Sequence, residues 1–199
     1  AWSFFSGSLS TATTSLSSNA ALVARIYFPR EVLPLASVLA QGVDLLAASL
    51  TAVLLLAVLG VGATPALVWV PILLAILAVL TAAVCGVFAC ANLFFRDVRY
   101  VTQVLTTFGL FFTPVFLDAA QFGARGSRIV MLNPVAPILE GLRLAVVNGH
   151  DLLRPLVLPS GVVAWHPWYL AYSAAWAGVS AVASALLYAR LELSFAEYV

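Results

Sequence analysis

Residues 45–95 read LLAASLTAVLLLAVLGVGATPALVWVPILLAILAVLTAAVCGVFACANLFF, 51 positions without a charged side chain, and the next four are RDVR, with Arg96, Asp97 and Arg99. A helix needs about 20 apolar residues to cross the hydrocarbon core of a bilayer, so the run is too long for one crossing. GVGATP at 60–65 interrupts it with a glycine/proline turn signal. Two helices are predicted, over about 33–59 and 66–93, joined by a short turn. The RDVR cluster then marks where the chain leaves lipid, because one such charge at mid-bilayer costs about 2.5–3.5 kcal/mol on insertion scales.

The composition agrees. The chain is 63% hydrophobic and 9% charged, with a mean hydropathy of +1.08. Soluble domains carry about 25% charged and 45–50% apolar residues. This chain lacks the polar groups to cover itself in water, which predicts an all-α integral membrane protein with one transmembrane domain over 1–199. A net charge of +1 without a basic run argues against a nucleic-acid partner. Cys85 and Cys90 lie five apart in an apolar segment, neither a metal spacing nor a redox pair, and read as buried thiols. The opening AWSFF shows no methionine and no basic region of a secretory signal, so an incomplete N-terminus is expected.

Three further spans are predicted. Tyr100–Leu117 is uncharged, and Pro167–Ala189 lies between His166 and Arg190. The opening 1–18 holds seven serines and three threonines behind an aromatic start, Trp2, Phe4 and Phe5. It reads as a span that faces protein rather than lipid. Alternation then puts Arg25, Arg30, Arg96, Arg99 and Arg190 on one side, expected to be cytoplasmic. Arg125, Arg128, Arg143 and Arg154 share one long loop on the other.

Between the spans, NAALVARIYFPRE (19–31) starts at an N-cap candidate, Asn19, and should stop before Pro29. Its apolar side, Leu22, Val23 and Ile26, suits either docking to another protein or lying on lipid headgroups with Arg25 on phosphate. NPVAPILEGLRLAVVNG (133–149) has Asn133 as N-cap, Pro134 at the first helical position and Asn148-Gly149 as a stop. About 14 helical residues are too few to cross, so an outer re-entrant or interfacial helix is expected, with Glu140 and Arg143 neutralising each other. Ser173, Ala177, Ala181 and Ala185 form a small-residue ridge for helix packing. Asp44 falls near mid-span with Gln41 one turn earlier. It is either a coupling acid for proton-driven transport or a structural one. No nucleotide-binding, zinc-protease or nucleophile-elbow motif occurs, so no catalytic or metal site is assigned.

Three stretches in fixed order resemble a known family: FPREVLPLA (28–36), FFRDVRY (94–100) followed by FFTPVF (111–116), and LNPVAPILEGLR (132–143). They resemble the membrane (permease) subunit of type-2 ATP-binding-cassette (ABC) exporters of the polysaccharide, O-antigen and teichoic acid class. The family pattern has six spans, and this sequence is expected to begin at the second. The resemblance implies a bacterial, multi-pass protein of the cytoplasmic membrane that moves a lipid-linked glycan or polyol-phosphate polymer. It implies a homodimer of permeases and a separate ATPase subunit that holds ATP and Mg²⁺, with no cofactor on this chain. Segment 19–31 would then be the coupling helix, with Arg25, Phe28, Pro29, Arg30 and Glu31 at the ATPase. Arg96, Asp97 and Arg99 would form a cytoplasmic gate that meets the carrier's phosphate, or serve only as positive-inside anchors. Phe108, Phe111 and Phe112 would line the channel, although they equally suit packing against lipid. The 133–149 helix would close the exit. A drug or small-lipid exporter, or a proton-coupled secondary transporter using Asp44, are the alternatives.

Overall fold

The computed structural model describes residues 1–19, 30–58, 64–115, 121, 123–158 and 163–191. It opens with α1 (Trp2–Ser18), a helix whose hydroxyls bond back to its own carbonyls: Thr11 to Gly7 at 2.9 Å, Thr13 to Leu9 at 2.6 Å and Ser15 to Ala12 at 2.7 Å. Satisfied in this way, most hydroxyls of a Ser/Thr-rich helix can be buried, although Ser8 Oγ is buried without a hydrogen-bond partner among the described residues. Phe4, Ser8, Leu9, Ala12, Thr13, Ser15 and Leu16 are all buried, so this helix faces protein.

After α1 come α2 (Val32–Val58), a 3-10 turn at Pro65–Val68 and α3 (Trp69–Phe94). These match the helices predicted over 33–59 and 66–93; Pro65 opens the second, at the place where the glycine/proline signal breaks the run. Asn92 Nδ2 donates to Ser17 Oγ at 3.4 Å, so α1 and α3 end side by side and run parallel. Their contact buries Phe4, Leu9 and Ala12 with Leu73, Leu77 and Leu80, the centre of the core.

Within the stretch predicted as a span over 100–117, the described residues form a shorter helix followed by turns. α4 (Val98–Gly109) has 12 residues, about 18 Å, against about 30 Å of hydrocarbon. Beyond it Phe111 N bonds Phe108 O and Phe112 N bonds Gly109 O, the tighter i−3 pattern, over a stretch of turns that runs to Val115. Pro114 explains the stop, since it lacks an N–H and its ring opposes the carbonyl of residue 110. Thr13 and Thr102 hydroxyls meet at 3.3 Å, which sets α4 antiparallel to α1.

The outer loop holds α5 (Gly123–Val130), α6 (Val135–Val147) and an antiparallel pair, β1 (Leu156–Val157) and β2 (Val163–Trp165), with Leu156 opposite Trp165. The all-α expectation therefore needs a small amendment here. Asn133 Oδ1 accepts from Val135 N at 3.1 Å, the expected cap, and α6 stops where Asn148-Gly149 predicts.

The chain returns through α7 (Trp168–Leu191), which packs mainly on α3. A Cβ at Gly86 would collide with Ser184 Oγ, so only glycine allows this approach. Of the small-residue ridge, Ser173 and Ala177 are buried, Ala181 is half-buried and Ala185 is exposed. Steps of four residues drift by about 40° each, so the ridge rotates out of the contact. Ser184 and Tyr188 take over. Among the described residues, three helices are long and apolar enough to cross a membrane: Val32–Leu56, Pro65–Phe94 and Trp168–Arg190. The chain is a multi-pass membrane protein. α1, with 17 residues, and α4, with 12, are not among these three.

Candidate functional site

α4 links the two features expected to handle a substrate. It begins directly after Arg96 and Asp97, carries Arg99 in its first turn, and ends near Phe108 and Phe112. Arg99 to Phe108 spans about 14 Å along the axis. Thr102 turns towards α1, whereas Tyr100, Val101, Val104, Leu105 and Phe108 stay exposed.

An apolar cleft of about 460 Å³ lies where α4 crosses α1 and α3. Its aromatic lining comes from Trp2, Phe5, Phe88, Phe108 and Phe112, with Asn133 as a polar group. The Trp2 and Phe5 rings are tilted, 5.6 Å between centroids. Gly109 lets α4 press against this pair, because a Cβ there would sit 2.9 Å from Trp2 Cη2. Of the three expected channel aromatics, Phe108 and Phe112 border this open cleft. Phe111 does not, and all three rings are exposed. Trp2, Phe5 and Phe88 are lining residues that sequence reasoning missed. The i, i+3 spacing of Trp2 and Phe5 was a usable signal, but Phe88 in a uniformly apolar helix gave none.

Arg96, Asp97 and Arg99 are exposed at the far end of α4. Arg99 is held locally: Nη2 donates to Tyr100 Oη at 2.7 Å and the guanidinium lies 4.6 Å from the Tyr100 ring centroid. A cation over a ring face is worth about 0.5–1 kcal/mol when exposed. Of the coupling residues, Arg25, Phe28 and Pro29 lie outside the described residues. Arg30 is half-buried just before α2, and Glu31 borders a second cleft beside Tyr188.

At the opposite end, Glu140 is fully buried on α6 and accepts a hydrogen bond from Arg143 Nη2 at 2.5 Å. The pairing expected from the three-residue spacing is present. α6 packs against α3 and α7. Trp165, 0% exposed, fixes the loop core by donating from Nε1 to Leu152 O at 2.8 Å. Asp44 is exposed on α2, and Gln41 points at Gly7 of α1 instead, with Oε1 2.7 Å from where a glycine Cβ would be. Cys85 and Cys90 are buried free thiols. Among the described residues no group of three His, Cys, Asp or Glu stands together. The arrangement offers ring faces, hydroxyls and terminal guanidiniums, which suit transient binding.

No protein-family model matches the chain. It is similar to two O-antigen export system permease proteins of Klebsiella pneumoniae, 29% identical over 151 residues and 26% over 149, in both cases 74% of this chain and 58% of the relative. A third, from Myxococcus xanthus, is 28% identical over 172 residues, 82% of this chain and 65% of the relative. The chain thus spans less than two thirds of the length of each relative. The resemblance carried by the three short motifs is borne out by matches that extend over most of the sequence.

Proposed function

We propose that this chain is the permease subunit of an ATP-driven exporter that carries a lipid-linked polysaccharide across the cytoplasmic membrane. The observation that carries this reading is the similarity, over 74–82% of the chain, to proteins named as O-antigen export permeases. The aromatic cleft beside α4 supports it. Sugars present C–H faces that rest on aromatic rings, and an exporter needs a surface that holds such faces weakly and repeatedly.

In this reading two permeases pair, and each rests on a separate ATPase subunit that binds ATP and Mg²⁺. Closure of the ATPase subunits pushes on Arg30 and Glu31 at the start of α2. The helices shift, and the glycan slides past Trp2, Phe5, Phe88, Phe108 and Phe112. Arg96, at the cytoplasmic mouth, meets the carrier's phosphates, since guanidinium pairs with phosphate through two parallel hydrogen bonds. Arg99 is less free for this task because Tyr100 holds it.

The test is reconstitution with the cognate ATPase in lipid nanodiscs. Arg96→Gln is expected to abolish most of the stimulation of ATP hydrolysis by the lipid-linked glycan while leaving basal hydrolysis in place. Stimulation equal to that of the unsubstituted protein would remove Arg96 from the substrate path. Export that persists without ATP but collapses with the proton gradient would replace the whole reading by proton coupling.

A further inference from the structure

The cleft that Glu31 borders lies off the substrate path described above, although Glu31 itself stands at the proposed ATPase contact. It lies among α2, α3 and α7, on roughly the opposite side of α3 from the aromatic cleft at 100° per residue. Its volume is about 260 Å³, below the roughly 300–1,000 Å³ of sites that enclose a drug-sized molecule. The walls are aliphatic and mostly small, formed by Leu35, Val79, Ala82, Ala83, Ala181 and Ala185. Gly86, which admits Ser184 against the α3 backbone, removes the side chain that would otherwise occupy part of this space.

Two observations point to an occupant. Leu35 and Val79 are 43% and 48% exposed and Ala185 is exposed, so the slot opens sideways between α2 and α7, where a membrane-spanning bundle meets hydrocarbon. One end of the slot is polar. Glu31, the residue before α2, and Tyr188, in the last turn of α7, border it there. Glu31 is exposed, and its carboxylate makes no ion pair or hydrogen bond among the described residues. A narrow apolar slot with an anionic group at its headgroup-level end matches one kind of molecule in a bilayer.

We propose that this slot holds one acyl chain of a phospholipid with a primary ammonium in its headgroup, and that the ammonium sits on the Glu31 carboxylate. The charge complementarity favours phosphatidylethanolamine over an anionic lipid with the same chains.

Purified protein in detergent is incubated with equal amounts of phosphatidylethanolamine and phosphatidylglycerol of identical acyl composition, and retained lipid is counted by native mass spectrometry. The expected preference is about fivefold for phosphatidylethanolamine, the scale of one exposed charge pair. Ala185→Leu adds bulk from a position that is exposed, and is expected to remove tight retention of either lipid. Glu31→Gln is expected to keep the chain bound and erase the preference. Undiminished retention in Ala185→Leu overturns the site. A preference that survives Glu31→Gln, or one that favours phosphatidylglycerol, overturns the headgroup assignment. None of these readouts involves transport, so the export reading stands or falls separately.

Discussion

α1 and α2 lie against each other and invert each other. The first carries seven serines and three threonines within residues 1–18 and is largely buried. The second is mainly aliphatic, and only 6% of its apolar window is buried, against 44% for α3. Leu39 and Val58 are 72% and 84% exposed. In water this pairing would be upside down. In lipid, apolar side chains gain little by leaving the solvent, so helices meet through small residues and satisfied hydroxyls. Tolerance to substitution should therefore follow position in the bundle rather than polarity.

The comparison can be attacked at several depths. The largest effect is expected at the most polar buried position. Arg143→Met strips the counter-charge from Glu140 and should lower unfolding stability in detergent by about 3–5 kcal/mol, with much of it restored when Glu140→Gln is added. Full stability in the single variant would mean that burial of charge matters less here than the contrast requires. Next, Gly86→Val forces a side chain into Ser184 and should cost about 1–3 kcal/mol. Ser184→Gly should rescue it, and a double variant no better than the single would locate the strain elsewhere. Smaller again is Thr13→Ala, which breaks the hydroxyl pair with Thr102; an expected loss of about 0.6 kcal/mol can be read from denaturant midpoints. At the far end of the scale, Leu54→Ala on the exposed face of α2 should shift stability by less than about 0.5 kcal/mol. A loss above 1 kcal/mol there would sharpen the picture differently, by showing that the face is covered in the assembly under test.

Much of this was legible from residue order. Hydropathy located α2, α3 and α7, because crossing length is set by the solvent rather than by neighbours. Asn133-Pro134 announced the start of α6 and Asn148-Gly149 its end, since capping chemistry is local. The hydroxyl-rich opening announced a protein-facing helix. The premature end of α4 was written in Pro114, but an uncharged stretch of adequate length concealed it. The β1–β2 pair was missed because two- and three-residue strands have no readable period. Which aromatics share a cavity was also invisible: Phe108 and Phe112 meet Trp2 only through the antiparallel register of α4 on α1, and sequence spacing carries no trace of that register. The same holds for Glu31, which the family resemblance implies for docking and the fold sets beside Tyr188.

The elements of the 123–165 loop are tied to the bundle by hydrogen bonds from three separate places. Trp69 Nε1 holds Asp151 at 3.0 Å, Tyr172 Oη holds Leu132 O at 2.6 Å and Ser173 Oγ holds Pro134 O at 3.0 Å. Two rods, α3 and α7, are thereby bolted to a single plate. The consequence is mechanical: neither rod can slide along its axis without straining the plate's attachment to the other.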